Sequence, residues 1–296
     1  MSSTSWISGG GYQDGLSGRQ FRSGNLKAVW IHASLGHAIS PESAMRISLV
    51  QYAPLWEARQ SSKDKISALL ADAPATDWLV LPEMSLSGFT MNTEASTWDK
   101  MDFAYFSVLA RERSCWITAG GVQDGRNKAF AFDPDGRIVG VYAKRHLFSH
   151  SGEEAGYTSG TERTDYRVGA NRVGGDMGIQ VAQAICYDLR FPYHFWANAP
   201  AVDAYCVIAA WGKGRADQWR ALLKARAIEN QAFMIGVNRV GSEPAAVYSG
   251  DSSVIGSRGE ELLYCGDAEG VFSVDIDTTA ARKWREAFPV IKDRLE

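Results

Sequence analysis

From residue 45 onward the chain alternates apolar runs of strand length with stretches of helical spacing, and this alternation restricts it to sheets covered by helices. Strand-like runs fall at 46–52, 77–82, 115–122, 127–132, 137–143, 178–186, 203–210, 231–238, 251–256 and 271–276. Helical patterns occupy 57–71, 97–114, 190–199 and 215–229. In the last of these, Trp219, Leu222, Leu223, Arg226 and Ala227 recur at helical spacing and share one face. Asp124-Gly125, Asp135-Gly136 and Arg258-Gly259 separate adjacent strand runs, as hairpin turns do. Crossovers mixed with hairpins predict an α/β fold: a largely buried mixed sheet with helices outside it.

Residues 1–44 read differently, with seven glycines, nine serines and little periodicity. They are expected to form a flexible tail, and Met45, which opens directly into a strand pattern, is an alternative natural start. The body, 45–296, contains no internal repeat and no linker that would divide it, so a single domain is expected. The apolar stretches, such as 204–211, fall far short of the roughly 20 residues a spanning helix needs, so no membrane segment is expected. A net charge of -3 supplies no basic face for nucleic acid and points to a small-molecule partner. Cys115, Cys186, Cys206 and Cys265 form no C-x-x-C pair, which reads as the reduced usage of a cytoplasmic protein rather than a disulfide framework or a metal site.

Three residues that end strand patterns carry complementary chemistry. Cys186 closes the apolar run Val181-Ala182-Gln183-Ala184-Ile185 and precedes a turn towards a helix, which puts a thiol at a strand's C-terminal tip. By residue type alone such a cysteine is a packing residue. The polar sequel Asp188 and Arg190 argues for more, namely a nucleophile activated by a neighbouring base or cation. Glu83 follows Trp78-Leu79-Val80-Leu81-Pro82 and is either a solvated rim carboxylate or a partly buried general base. Lys144, after Val139-Gly140-Val141-Tyr142-Ala143, is by default a surface cation beside Arg145 and His146, and otherwise a charge that steadies a thiolate and an oxyanion.

Leu81-Pro82-Glu83, Tyr142-Ala143-Lys144-Arg145-His146-Leu147-Phe148 and Ile185-Cys186-Tyr187-Asp188-Leu189-Arg190-Phe191-Pro192 resemble, in this order, the three catalytic blocks of the nitrilase (carbon-nitrogen hydrolase) superfamily. The segments 84–92, 224–231, 236–241 and 248–252 resemble its bacterial ω-amidase-like branch, which hydrolyses 2-oxoglutaramate and similar amides. The resemblance spans about 46–292. It implies a four-layer αββα sandwich with two mixed sheets, a homodimer, and no metal or organic cofactor. It also implies roles: Glu83 as base, Cys186 as nucleophile, and Lys144 with the backbone N–H of Tyr187 around the oxyanion. A second glutamate belongs downstream of the lysine; Glu153 and Glu154 both stand there, and spacing favours Glu153.

For an oxo-dicarboxylic monoamide the distal carboxylate calls for a cation, and Arg190, Lys213 and Arg215 are the candidates. Arg190 has an alternative use as an ion-pair partner of Asp188 or Glu229. Trp211, Phe148 and Phe89 are candidate pocket walls, with core packing the alternative for the two phenylalanines. Where relatives often carry an Asn-Trp-Pro-like run, this chain has Ala210-Trp211-Gly212-Lys213, a departure that bears on substrate more than on catalysis. Competing readings are a nitrile hydrolase using the same trio, a catalytically silent scaffold, and a Cys-His hydrolase drawing on His146 or His194.

Overall fold

The computed structural model describes the backbone at 18–23 and 26–31, and residues 39–169, 178–199 and 201–295. In chain order the strands are β1 Gly18–Ser23, β2 Leu26–Ile31, β3 Ala44–Gln51, β4 Trp78–Val80, β5 Trp116–Gln123, β6 Arg126–Phe132, β7 Ile138–Ala143 and β8 Asp165–Val168. There follow β9 Ile179–Ile185, β10 Ala204–Ala209, β11 Phe233–Asn238, β12 Val240–Glu243, β13 Ala246–Ser249, β14 Ser253–Ile255, β15 Glu261–Tyr264 and β16 Gly270–Asp277. An eight-stranded sheet has the order β1-β2-β16-β3-β4-β5-β6-β7, and a six-stranded sheet the order β15-β14-β11-β10-β9-β8. Both are mixed: β3, β4 and β5 run parallel, β5, β6 and β7 antiparallel, and β9, β10 and β11 parallel.

The period of two along the strands assigns each face of the larger sheet to a different layer. On β6, Ala129 and Ala131 join the core shared with the smaller sheet, while Phe130 and Phe132 join a second core under helices. On β4 and just beyond it, Trp78 and Val80 face the first core and Leu79 and Leu81 the second. The helices are α1 Arg59–Leu70, α2 Thr93–Ser96, α3 Lys100–Arg113, α4 Pro192–Trp196, α5 Ala216–Asn230 and α6 Ala280–Ala287. The second core is closed by α1, through Ile66 and Leu70, and by α3, through Phe106 and Leu109. Asp102 of α3 binds Lys63 of α1 at 2.7 Å and pins the two helices together. On the far side, α5 Ala216–Asn230 buries Trp219, Leu223, Arg226 and Ala227 against the smaller sheet. The layers are therefore helix, sheet, sheet, helix, the four-layer sandwich the resemblance implied.

Two strands lie inside the stretch expected to be a tail. β2 pairs in parallel with β16, and β1 pairs antiparallel with β2, extending the larger sheet. Backbone pairing on the open edge of β16 supplies order that the local glycine and serine content did not suggest, and the rest of 1–38 lies outside the described residues. The three turns named from the sequence do join antiparallel neighbours: β5 to β6, β6 to β7, and β14 to β15.

Candidate active site

Glu83 sits in a loop laid directly on β5. Leu81 N–H donates to Thr118 O at 2.8 Å, Ser85 N–H to Gly120 O at 2.8 Å, and Gly120 N–H to Pro82 O at 3.3 Å. This approach requires glycine at 120, because a Cβ there would lie 2.7 Å from Glu83 Cα, Met84 N and Pro82 O. Lys144 follows β7, fixed by its N–H to Asn127 O at 2.8 Å. Glu153 lies in a short helical turn, Glu153–Ala155, which follows Lys144 at a distance of nine residues.

These side chains meet out of contact with solvent. Lys144 Nζ donates to Glu83 Oε1 at 2.9 Å and to the two Glu153 oxygens at 3.0 and 2.8 Å. Asn127 Nδ2 donates to Glu83 Oε1 at 2.7 Å and to Glu153 Oε1 at 3.0 Å. Backbone N–H groups complete the carboxylates: Ala210 to Glu83 Oε2 at 2.8 Å and Phe148 to Glu153 Oε2 at 2.6 Å. Glu83, Lys144, Asn127 and Glu153 are each no more than 1% exposed, so every oxygen and ammonium proton needs such a partner. Burial alone would depress the Lys144 ammonium, but Glu83 and Glu153 outweigh it and hold its pKa above the ordinary lysine value. Glu154 is exposed, and the second glutamate at the lysine is Glu153.

Cys186 comes from the other sheet. It follows β9, opens the tight turn Cys186–Arg190, and has a φ of 46°. A left-handed conformation at a residue with a Cβ costs about 1–2 kcal/mol, strain typical of functional turns. Burial pushes the thiol pKa well up and Glu83 adds to this, while Lys144 and the Ala210 N–H act in the opposite direction. β9 and β10 pair in parallel with Ile185 opposite Ile208, so Cys186 and Ala210 lie at adjacent strand ends, and the Ala210 N–H that donates to Glu83 Oε2 joins the thiol's strand end to the acid. The histidines of the Cys-His alternative are placed otherwise: His146 Nδ1 lies 2.6 Å from Asp188 Oδ1, and His194 Nε2 lies 3.3 Å from Gln183 O.

The candidate pocket residues divide. Arg190 lies over the Trp211 ring at 4.7 Å, bonds Gln218 Oε1 at 2.6 Å, and sits 5.9 Å from the Tyr187 ring. Arg215 stacks over Phe148 at 5.1 Å, and Phe148 packs on Tyr187 at 5.1 Å. The ion pairs weighed for Arg190 do not form: Asp188 accepts from other groups, and Glu229 takes Arg226 at 3.0 Å. Lys213 departs from this set. It is exposed and lines a groove of about 420 Å³ with Val240, Tyr248, Asp251 and Asp267. Trp211 is buried, with its Nε1 donating to Arg215 O at 2.8 Å, and Phe89 lies 5.3 Å from Lys144 Nζ.

Asn127 escaped the sequence reading, although it left a signal: a carboxamide beginning the apolar alternation of β6 has to find partners once buried. The Ala210 N–H left none, since backbone groups carry no residue-type mark.

Comparison with known proteins agrees with this geometry. Residues 46–286 match the carbon-nitrogen hydrolase family. Omega-amidase YafV of Escherichia coli strain K12 is 33% identical over 262 residues, 85% of this chain and 97% of that protein. The 2-oxoglutaramate amidase of Paenarthrobacter nicotinovorans is 29% identical, over 78% of this chain and 82% of that one. Among solved structures, XC1258 from Xanthomonas campestris, a CN-hydrolase superfamily protein with an arsenic adduct in its active site, superposes with a TM-score of 0.76 and 31% identity, covering 86% of this chain and 98% of that chain. With the match spanning most of its length and the sandwich built as that family builds it, the chain belongs to the carbon-nitrogen hydrolase family.

Proposed function

We propose that the protein is an ω-amidase that removes ammonia from the terminal amide of a small oxo-dicarboxylic acid monoamide such as 2-oxoglutaramate. The observation that carries this reading is the buried Glu83–Lys144–Glu153 cluster beside Cys186. A thiol whose pKa is raised by burial is a poor nucleophile until its proton is taken, and Glu83 stands as the base. The thiolate attacks the amide carbonyl, and Lys144 with the Tyr187 N–H steadies the oxyanion. Glu83 returns the proton to the leaving nitrogen, ammonia departs, and a thioester to Cys186 remains. Water, deprotonated by the same Glu83, hydrolyses the thioester and restores the thiol. Glu153 and Asn127 keep the ammonium and the base in register, and no step needs a metal or an organic cofactor.

Arg190 and Arg215 support the dicarboxylic substrate: neither has a carboxylate partner among the described residues, and both rest on aromatic rings at the same set of turns. Names of similar proteins, omega-amidase and 2-oxoglutaramate amidase, point the same way. The reading extends to a homodimer, and Tyr193, Trp196 and Ile228 are exposed apolar side chains open to such a contact. It also extends to a cytoplasmic setting that keeps the four free cysteines reduced. No helix among the described residues is long and apolar enough to cross a membrane.

The test is ammonia release from 2-oxoglutaramate and from butyramide, which lacks the distal carboxylate. The oxo-acid amide is expected to be strongly preferred, and Cys186→Ala to abolish turnover with the fold retained. Unchanged turnover in that variant refutes the mechanism; equal rates on both amides refute the substrate.

A further inference from the structure

Behind the nucleophile lies a second buried acid that the chemistry above does not use. Asp188 is fully buried, and each of its oxygens accepts two hydrogen bonds. Oδ2 receives the Ile185 N–H at 2.9 Å and the Tyr142 hydroxyl at 2.7 Å. Oδ1 receives the His146 N–H at 2.9 Å and lies 2.6 Å from His146 Nδ1. His146 is held in turn by a face-to-face ring contact with Phe191, at 4.0 Å between centroids, and by the Tyr193 hydroxyl, 2.8 Å from Nε2.

By residue type, His146, Asp188 and His194 also suit a metal, with one ligand atom from each within 4.8 Å of the others. The filled oxygens of Asp188 argue for a hydrogen-bond hub instead. Its donors identify what the hub joins. Ile185 immediately precedes Cys186, whose φ of 46° needs an external hold. Tyr142 and His146 flank Lys144 at two residues on either side. One carboxylate thus grips the nucleophile turn on the smaller sheet and both flanks of the lysine on the larger one.

We propose that Asp188 is a positioning residue that keeps Cys186 in its left-handed turn and registers that turn on the segment carrying Lys144. The inference rests on Cys186 being the nucleophile, and it is independent of which amide is cleaved. Asp188 is suited to the task because it stays ionised. Burial opposes its charge, yet the bond to His146 and the Ile185 and Tyr142 donors hold its pKa below the ordinary carboxylate value. The Tyr142 hydroxyl remains protonated and donating, since burial and Asp188 itself raise its pKa.

The experiment compares wild type with Asp188→Asn, whose carboxamide has the same shape but cannot accept on both sides, and with Tyr142→Phe, which removes one donor and leaves the acid. Two readouts are taken. The first is kcat and KM on the best amide. The second is the pH profile of Cys186 alkylation by iodoacetamide, followed on the Cys186 peptide by mass spectrometry. Misplacing the thiol by about 1 Å costs on the order of 100-fold in rate, so kcat of Asp188→Asn is expected to fall by about that factor with KM little changed. As the thiolate moves from the Lys144 ammonium, its alkylation midpoint is expected to rise by about one pH unit. Tyr142→Phe moves both in the same direction by less. A folded Asp188→Asn protein with wild-type kcat and alkylation profile overturns the proposal. Should that variant fail to fold, Tyr142→Phe decides: lower kcat with a higher alkylation midpoint supports the proposal, and wild-type values for both overturn it. Alkylation requires no substrate, so a wild type inactive on every ω-amide counts against the substrate reading alone.

Discussion

Asn127→Asp replaces the amide that joins the two carboxylates with a third carboxyl of the same shape. The new acid would face Glu83 Oε1 at 2.7 Å and Glu153 Oε1 at 3.0 Å. At an effective dielectric constant near 20, one pair of like charges at 2.7 Å repels by about 6 kcal/mol. Holding an ordinary aspartic acid protonated at pH 7 costs less, about 4 kcal/mol, from roughly three pH units at about 1.4 kcal/mol each. The folded variant therefore takes up a proton rather than bear the repulsion. The neutral acid offers one O–H where the amide offered two N–H groups, and the lost bond to a charged acceptor costs about 1.5–3 kcal/mol more. The sign follows from linkage: the new carboxyl's folded pKa is raised, so its proton stabilises the fold at low pH, and that stability is lost as pH rises from the unfolded value through the folded one. Urea unfolding at pH 5, 6 and 7 is the assay, with Asn127→Ala as a control that carries no titrating group. The deficit of Asn127→Asp relative to that control is expected to grow by about 1.4 kcal/mol per pH unit. A pH-independent deficit, or none, would show that Asn127 does not bridge two ionised carboxylates.

Two further substitutions probe the frame. Gly120→Ala puts a methyl group 2.7 Å from three backbone atoms of the Glu83 loop; kcat should fall by about 100-fold and stability by about 1–3 kcal/mol, and wild-type values for both would mean the loop yields freely. Asp188, with its folded pKa lowered, contributes stability that is present above its unfolded value and lost as pH falls through the folded one. Thermal midpoints of wild type and Asp188→Asn should therefore converge below about pH 4, and a gap constant down to pH 3 would contradict this sign.

The parts of the fold legible in the sequence were those in which burial itself writes the pattern. Runs such as Ala204–Ala209 are buried at every residue and read as strands without help. The pair β12 and β13 was not read, because Val240-Gly241-Ser242-Glu243 shows no alternation; its order comes from Arg239 bonding Glu243 and from Glu243 Oε2 accepting the Phe89 N–H at 3.3 Å. Helix α6, Ala280–Ala287, is equally absent from the reading: its apolar stripe is short and made of alanines and Trp284, and only Ala281 is buried. At the site, Glu83, Lys144 and Cys186 stood out because each ends an apolar run with a reactive group. Charge alone groups Lys213 with the arginines, and charge does not say which groove an exposed side chain lines. The partners of Arg190 were equally hidden, since Gln218 competes with two carboxylates and wins on position.

Cys186, the proposed nucleophile, follows a strand of one hydrogen-bonded sheet, and Glu83, Lys144 and Asn127 belong to the other. Neither slab is a catalyst by itself; reactivity emerges only when the two interior faces seat against each other. A methyl group gained or lost in the Ala129, Ala131, Val181 and Ala184 layer thus alters the spacing of the reacting atoms without touching any of them. Turnover becomes a gauge of how closely the slabs are stacked.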